Sequence, residues 1–135
     1  MIPDTCAAID AVLGVWADDQ NLPVAWENVP FTPPDGPYLV AHDMPATAYS
    51  IDLASECRVY PGVYQISVVV PAGTGRTKAR ALVQQVIDLF PEGRELDGDG
   101  FTAWVHTPPA AAAGIVSGAT YTIPISFTYR AHVAG

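Results

Sequence analysis

The residues with the most chemical potential stand together in the stretch Ala72–Ala79, AGTGRTKA. A glycine-rich turn that follows an apolar run and opens a helix can offer backbone N–H groups to a phosphate. Arg76, Lys78 and Arg80 follow at once. The spacing does not carry that chemistry. A P-loop needs Gly, four residues, then Gly-Lys-Ser/Thr. Here Gly73 and Gly75 are two apart, and Lys78 is preceded by Thr77. Lys78 also occupies the place of the third glycine in a dinucleotide-binding fingerprint. A tight strand-to-helix turn accounts for the glycines better. A nucleotide-binding enzyme using the Gly73–Gly75 turn is kept as the lesser alternative.

No other group of residues supports a reaction. His42, His106 and His132 lie on separate elements, and none forms an HxxE, HxH or CxxH pattern. Ser50, Ser55, Ser67, Ser117 and Ser126 show no GxSxG elbow. The DGDG at 97–100 hints at a calcium loop. An EF-hand needs a twelve-residue ligand pattern, and Phe101, Trp104 and Val105 stand where that pattern should continue. Cys6 and Cys57 fit no ligand spacing and are expected to be reduced, partly buried thiols. The expectation is no enzyme, with no catalytic residue, cofactor or metal.

One feature breaks a local rule. Arg76, Lys78 and Arg80 fall in the first turn or so of a helix, where the helix dipole disfavours cations. Either they meet a partner, or they pair with carboxylates of their own chain. The segment Leu22–Pro37 raises a similar choice. It holds five prolines with Trp26 and Phe31 between them. It is either a partner-binding arm or a long loop that its aromatics pin to the core. Arg76, Lys78, Arg80, Trp26 and Phe31 are therefore the candidate contacts with another subunit or partner.

The elements that would position these residues follow from periodicity. In Arg58–Phe90, Tyr64, Ile66, Val68 and Val70 alternate with Gln65 and Ser67, the period of a strand with one buried face. Pro71 stops that strand, and Pro61-Gly62 predicts a bulge or bend early in it. From Thr77 the period becomes helical, with Leu82, Val83, Val86, Ile87 and Phe90 on one stripe. Pro91 and Gly93 end the helix. An earlier helix starts at Asp4, a good N-cap, with Ile9, Val12, Leu13 and Trp16 on its apolar face. A short strand is expected around Val24–Glu27. Tyr38–Met44 and Thr47–Leu53 predict a hairpin turning at Pro45-Ala46. Glu92–Gly100 and Pro108–Gly118 read as loops on either side of a strand over Phe101–Thr107. Thr120–Arg130 is the clearest strand, with Tyr121, Ile123, Ile125, Phe127 and Tyr129 on one face. Pro124 suggests that this strand lies at an edge or is bulged. The expected fold is α+β: a two-layer sandwich of an antiparallel or mixed β-sheet of about five strands with two α-helices. Tyr64, Ile66, Val68, Tyr121, Ile123, Ile125 and Phe127 are the expected core. They should pack on Ile9, Leu13 and Trp16, or on Leu82, Val86 and Phe90.

Length and charge narrow the class. The 135 residues suggest a single domain over 1–135. No apolar run reaches the roughly 20 residues of a membrane helix, and MIPDTCAAID lacks the basic start of a signal peptide. A soluble chain that stays where it is made is the expectation. The net charge of −8 argues against sequence reading of nucleic acid, which wants a basic face. Before Gly75 the only Lys or Arg is Arg58.

Taken together, PVAWENVPFTPPDGPYL (Pro23–Leu39), GVYQISVVVPAGTG (Gly62–Gly75) and LFPEG (Leu89–Gly93) resemble the tail terminator proteins of long-tailed bacteriophages, in particular the lambda-like group. The closing strand YTIPISFTYRA (Tyr121–Ala131) is similar too. The resemblance runs from the first helix to Arg130, and nothing is carried onto Asp43–Glu56. It implies a structural virion protein that forms a ring, a hexamer in this family. Such a ring caps the tail tube, ends tail polymerisation and offers the head-side connector protein a joining surface. DNA only passes through the lumen, and no membrane is involved. The implied place is the head-proximal end of the tail, after assembly in the host cytoplasm. A head–tail connector or neck ring protein is the structural alternative. An acidic chain suits a channel wall along which DNA slides. Uneven charge suits a head-to-tail ring.

Overall fold

The computed structural model describes residues 3–50, 57–98 and 100–134. Two long strands, β4 (Cys57–Pro71) and β9 (Thr120–Ala134), form its spine. They pair antiparallel without interruption from Cys57↔Ala134 to Pro71↔Thr120. Helix α1 (Thr5–Asp19) precedes β1 (Val24–Ala25), β2 (Tyr38–Pro45) and β3 (Tyr49–Ser50). Helix α2 (Thr77–Leu89) follows β4. After it come β5 (Glu95–Gly98), β6 (Phe101–Val105), β7 (Ala110–Ala111) and β8 (Ile115–Ser117). The described residues make one nine-stranded sheet in the order β1-β2-β4-β9-β6-β5, with β3 beside β4 and with β7 and β8 beside β9. Among the described strands only β1 and β2 run parallel. The class is still α+β with two helices, but the expected five-strand sandwich is overturned. The missed strands are two to four residues long, too short to show a period.

Several expectations need correction. β2 does not form a hairpin with the next strand. Both β2 and β3 pair with β4, β2 along Gly62–Val69 and β3 at Arg58 and Val59. Residues 51–53 of the expected Thr47–Leu53 strand lie outside the described residues. The polar stretch after α2 contains β5, paired to β6. The small-residue stretch Pro108–Gly118 contributes β7 and β8 to the edge of β9.

The prolines produce neither a bulge nor an edge, and the sheet explains why. In a strand, one residue's N–H and C=O point to the same neighbour. Ala46 N–H donates to the Pro61 carbonyl, so Pro61 nitrogen faces the gap between β2 and β3. Ala112 N–H donates to the Pro124 carbonyl, so Pro124 nitrogen faces the gap between β7 and β8. Each proline turns its nitrogen toward a residue outside the strands, Ala46 or Ala112, and still accepts a bond from it through its carbonyl. The β4–β9 register runs through Pro61↔Arg130 and Ser67↔Pro124 unchanged.

Asp4 caps α1, accepting from Ala7 N–H at 3.0 Å. Both helices pack on one face of the sheet. Ile9, Leu13 and Ala17 from α1, Ala79, Val83 and Val86 from α2, and Phe90 just after it are buried in one cluster with Tyr64, Ile66, Val68, Ile123, Ile125 and Phe127. The expected face is therefore the buried one, although Tyr121 is only half-buried. Each such burial contributes roughly 1.5–3 kcal/mol for a Leu- or Phe-sized side chain. Phe127 stacks between Phe90 (4.9 Å) and Tyr64 (5.9 Å), tying α2 to both long strands. No described helix is long and apolar enough to cross a membrane.

Candidate functional site

The turn after β4 is built by backbone geometry. Gly73 and Gly75 have φ of +85° and +79°, which side chains with a Cβ rarely adopt. A Cβ at either glycine would meet nothing within 4 Å, so no close neighbour requires them. Thr74 Oγ1 donates to the Pro71 carbonyl at 2.8 Å, and Ala72 N–H donates to Ala119 O at 2.8 Å. The first closes the turn on itself, and the second fastens it to the β8–β9 connection.

Arg76 then takes the N-cap position of α2, where no side chain caps the helix. Ala79 is buried against the sheet, and Arg76, Lys78 and Arg80 are exposed around it. Among the described residues no carboxylate lies within ion-pair distance of these three. The carboxylate contact found there joins His42 Nδ1 to Glu27 Oε1 at 2.6 Å. Pairing inside their own chain is thus not seen among the described acids. Three cations stand at the positive end of a helix dipole and point to solvent.

Trp26 and Phe31 behave differently. Both are half-buried. Trp26 lies over Gly14 of α1, where a Cβ would sit 3.4 Å from the indole Cζ2. Phe31 packs on Tyr38 with ring centroids 5.3 Å apart. Each aromatic thus makes a contact within the chain while part of its surface stays open.

A polar network under α1 had no signature in the sequence. Tyr64 hydroxyl donates to Asp10, Tyr129 hydroxyl donates to Asp43 at 2.6 Å, and Asp43 N–H donates to Glu27. Cys6 Sγ lies 3.7 Å from Asp10. Burial raises the Asp10 and Asp43 carboxyls above the usual carboxylate range, and the tyrosine hydrogen bonds partly offset this. Burial and the neighbouring carboxylates also raise both tyrosines. The Cys6 thiol is pushed up to about 12, first by burial and then by Asp10. A thiol held protonated is a poor nucleophile. Cys6 is a free thiol, as expected, whereas the Cys57 side chain lies outside the described residues. The tyrosine hydrogen bonds tie α1 to β4 through Asp10 and Tyr64, and β2 to β9 through Asp43 and Tyr129.

A family model described as phage tail terminator protein matches residues 4–129. A solved structure, one of six solved chains that match, is 38% identical, with a TM-score of 0.80 over 94% of this chain and 92% of its own. No curated protein matches.

Proposed function

The chain belongs to the phage tail terminator family, matched over residues 4–129, and from that premise we propose that it forms a ring that caps the tail tube. Its role is structural, in tail assembly, and it is a tail component of the virion. In this reading the ring has six copies and ends tube polymerisation. Its other face receives the head-side connector protein, and DNA passes through the lumen without specific contact. The protein is not an enzyme and needs no cofactor. The single observation that carries the reading is the family match along nearly the whole chain.

Arg76, Lys78 and Arg80 are assigned to an acidic surface on a neighbouring copy or on the tail tube. Their exposure and their lack of a described carboxylate partner support this. A charged rim contact acts mainly on association rate and salt sensitivity.

The test is assembly of tails with and without the protein, followed by electron microscopy. Without it, tubes should overgrow and remain headless. Adding the purified chain should restore a uniform length and show a ring at one end. Tubes of normal length in its absence would refute the reading. A micromolar nucleotide complex in a binding titration would favour the enzyme alternative instead.

A further inference from the structure

The two ends of the helical layer carry opposite charge, and each carries the same sign as its own end of the helix dipole. α2 starts with Arg76, Lys78 and Arg80 and has no acid in its first turn. α1 ends with Asp18 and Asp19 and has no base in its last turn. Side-chain charge and dipole therefore reinforce each other at both ends, to the cost of each helix. Two such breaches with opposite sign suit a complementary pair of surfaces.

Each end also shows an unpartnered aliphatic residue. Val15 lies one turn before the two aspartates and is 72% exposed. It borders a shallow groove of about 490 Å³ with Trp16 and Leu89. At the other end Val116 is 68% exposed and shares a groove of about 480 Å³ with Arg76 and Tyr121.

Five of the ten acids with described side chains are engaged within the chain, and Asp35, Glu92 and Glu95 are exposed singly along the sequence. Asp4 caps α1, Asp10 and Asp43 accept from tyrosines, Glu27 meets His42, and Asp88 accepts from Gln84. Asp18 and Asp19 form an adjacent, exposed acidic pair beside an exposed aliphatic residue. Arg94 borders the Val15 groove, but its guanidinium donates to Leu89 O at 2.6 Å and serves the end of α2.

Leu89, the last residue of α2, closes the Val15 groove, whereas the cations stand at the start of α2. Thirteen residues separate them along the helix, roughly 20 Å at the α-helical rise. Unlike patches at opposite ends can join copies head to tail, and unlike a reciprocal two-fold pair such a contact continues from copy to copy.

We infer that the start of α2, with Arg76, Arg80 and Val116, docks on the end of α1 of a second copy, at Val15, Asp18 and Asp19. This rests on the proposed contact of the three cations with a neighbour and names the surface they meet.

Cross-linking tests it, because a disulfide traps contacts too weak to survive dilution. Val15→Cys and Val116→Cys are made separately in a Cys57→Ser background, and Cys6 stays as it is. A mixture of the two should give a cross-linked dimer on mild oxidation, and neither alone should. The double variant should give a ladder of higher species. No mixed cross-link, or an equal one from Val15→Cys alone, overturns the inference. Charge reversal separates it from the broader reading, with thermal melting to confirm folding. Arg76→Glu with Arg80→Glu, and separately Asp18→Lys with Asp19→Lys, should each weaken self-association at least tenfold. All four together should restore it. If the arginine pair matters while the aspartate pair does not and no rescue occurs, the α1 surface is wrong and the broader reading stands. If the folded arginine variant assembles normally, both fall.

Discussion

Gly62 offers a test in which structure reverses the usual sign. Alanine in place of a strand glycine ordinarily stabilises by roughly 0.5–1 kcal/mol, because glycine loses more chain entropy on folding. Here Gly62 pairs with Tyr129 across the two long strands. A Cβ at Gly62 would sit 2.8 Å from Tyr129 Cε2 and closer still to its hydroxyl. Tyr129 is buried and holds Asp43 through its hydroxyl at 2.6 Å. To admit the methyl group the ring must swing away. Overpacking costs about 1–3 kcal/mol. Loss of a hydrogen bond to a charged group costs about 1.5–3 kcal/mol. After the ordinary gain is subtracted, Gly62→Ala should destabilise by about 2–5 kcal/mol. Urea unfolding of Gly62→Ala, Tyr129→Ala and the double variant would measure this as a cycle. With the ring gone, the added methyl should cost nothing or help slightly, so the coupling should exceed about 2 kcal/mol. A Gly62→Ala protein as stable as its parent would refute the reasoning.

Two further outcomes concern the core and the polar network. Phe127→Ala should lose about 3–5 kcal/mol and Ile125→Ala about 2–5 kcal/mol in the same assay. A loss below about 1 kcal/mol would mean that the other face of β9 is the buried one. Asp10 has a raised carboxyl in the fold, so the native state holds its proton more tightly than the unfolded chain does. That contribution is fully present below the unfolded value of about 3.9 and is lost as pH rises through the raised folded value. Asp10→Asn keeps an acceptor for Tyr64 but removes the titration. Relative to the parent, its melting temperature should be higher at pH 7 than at pH 4. A pH-independent difference between the two proteins would sink this account.

The local periods in the sequence were enough for the two long strands, both helices and the buried face. Tyr64–Val70 and Tyr121–Tyr129 alternate, and the α2 stripe repeats at helical spacing, because side-chain direction follows from backbone geometry within a few residues. The exposed cations at the start of α2 were legible for the same reason, since a helix dipole is a local property. Strand partners were not legible. β3 pairs with β4 and not with β2, and a two-residue strand exists only because a long neighbour offers it a ladder. The prolines show the limit most clearly. Sequence gives the missing N–H of Pro61 and Pro124, but only the sheet decides whether a neighbour stands where that N–H would point. Likewise the Tyr64–Asp10 and Tyr129–Asp43 bonds join residues 54 and 86 positions apart. No local pattern encodes them, because they form only when the packed helix and sheet bring distant side chains within hydrogen-bond reach.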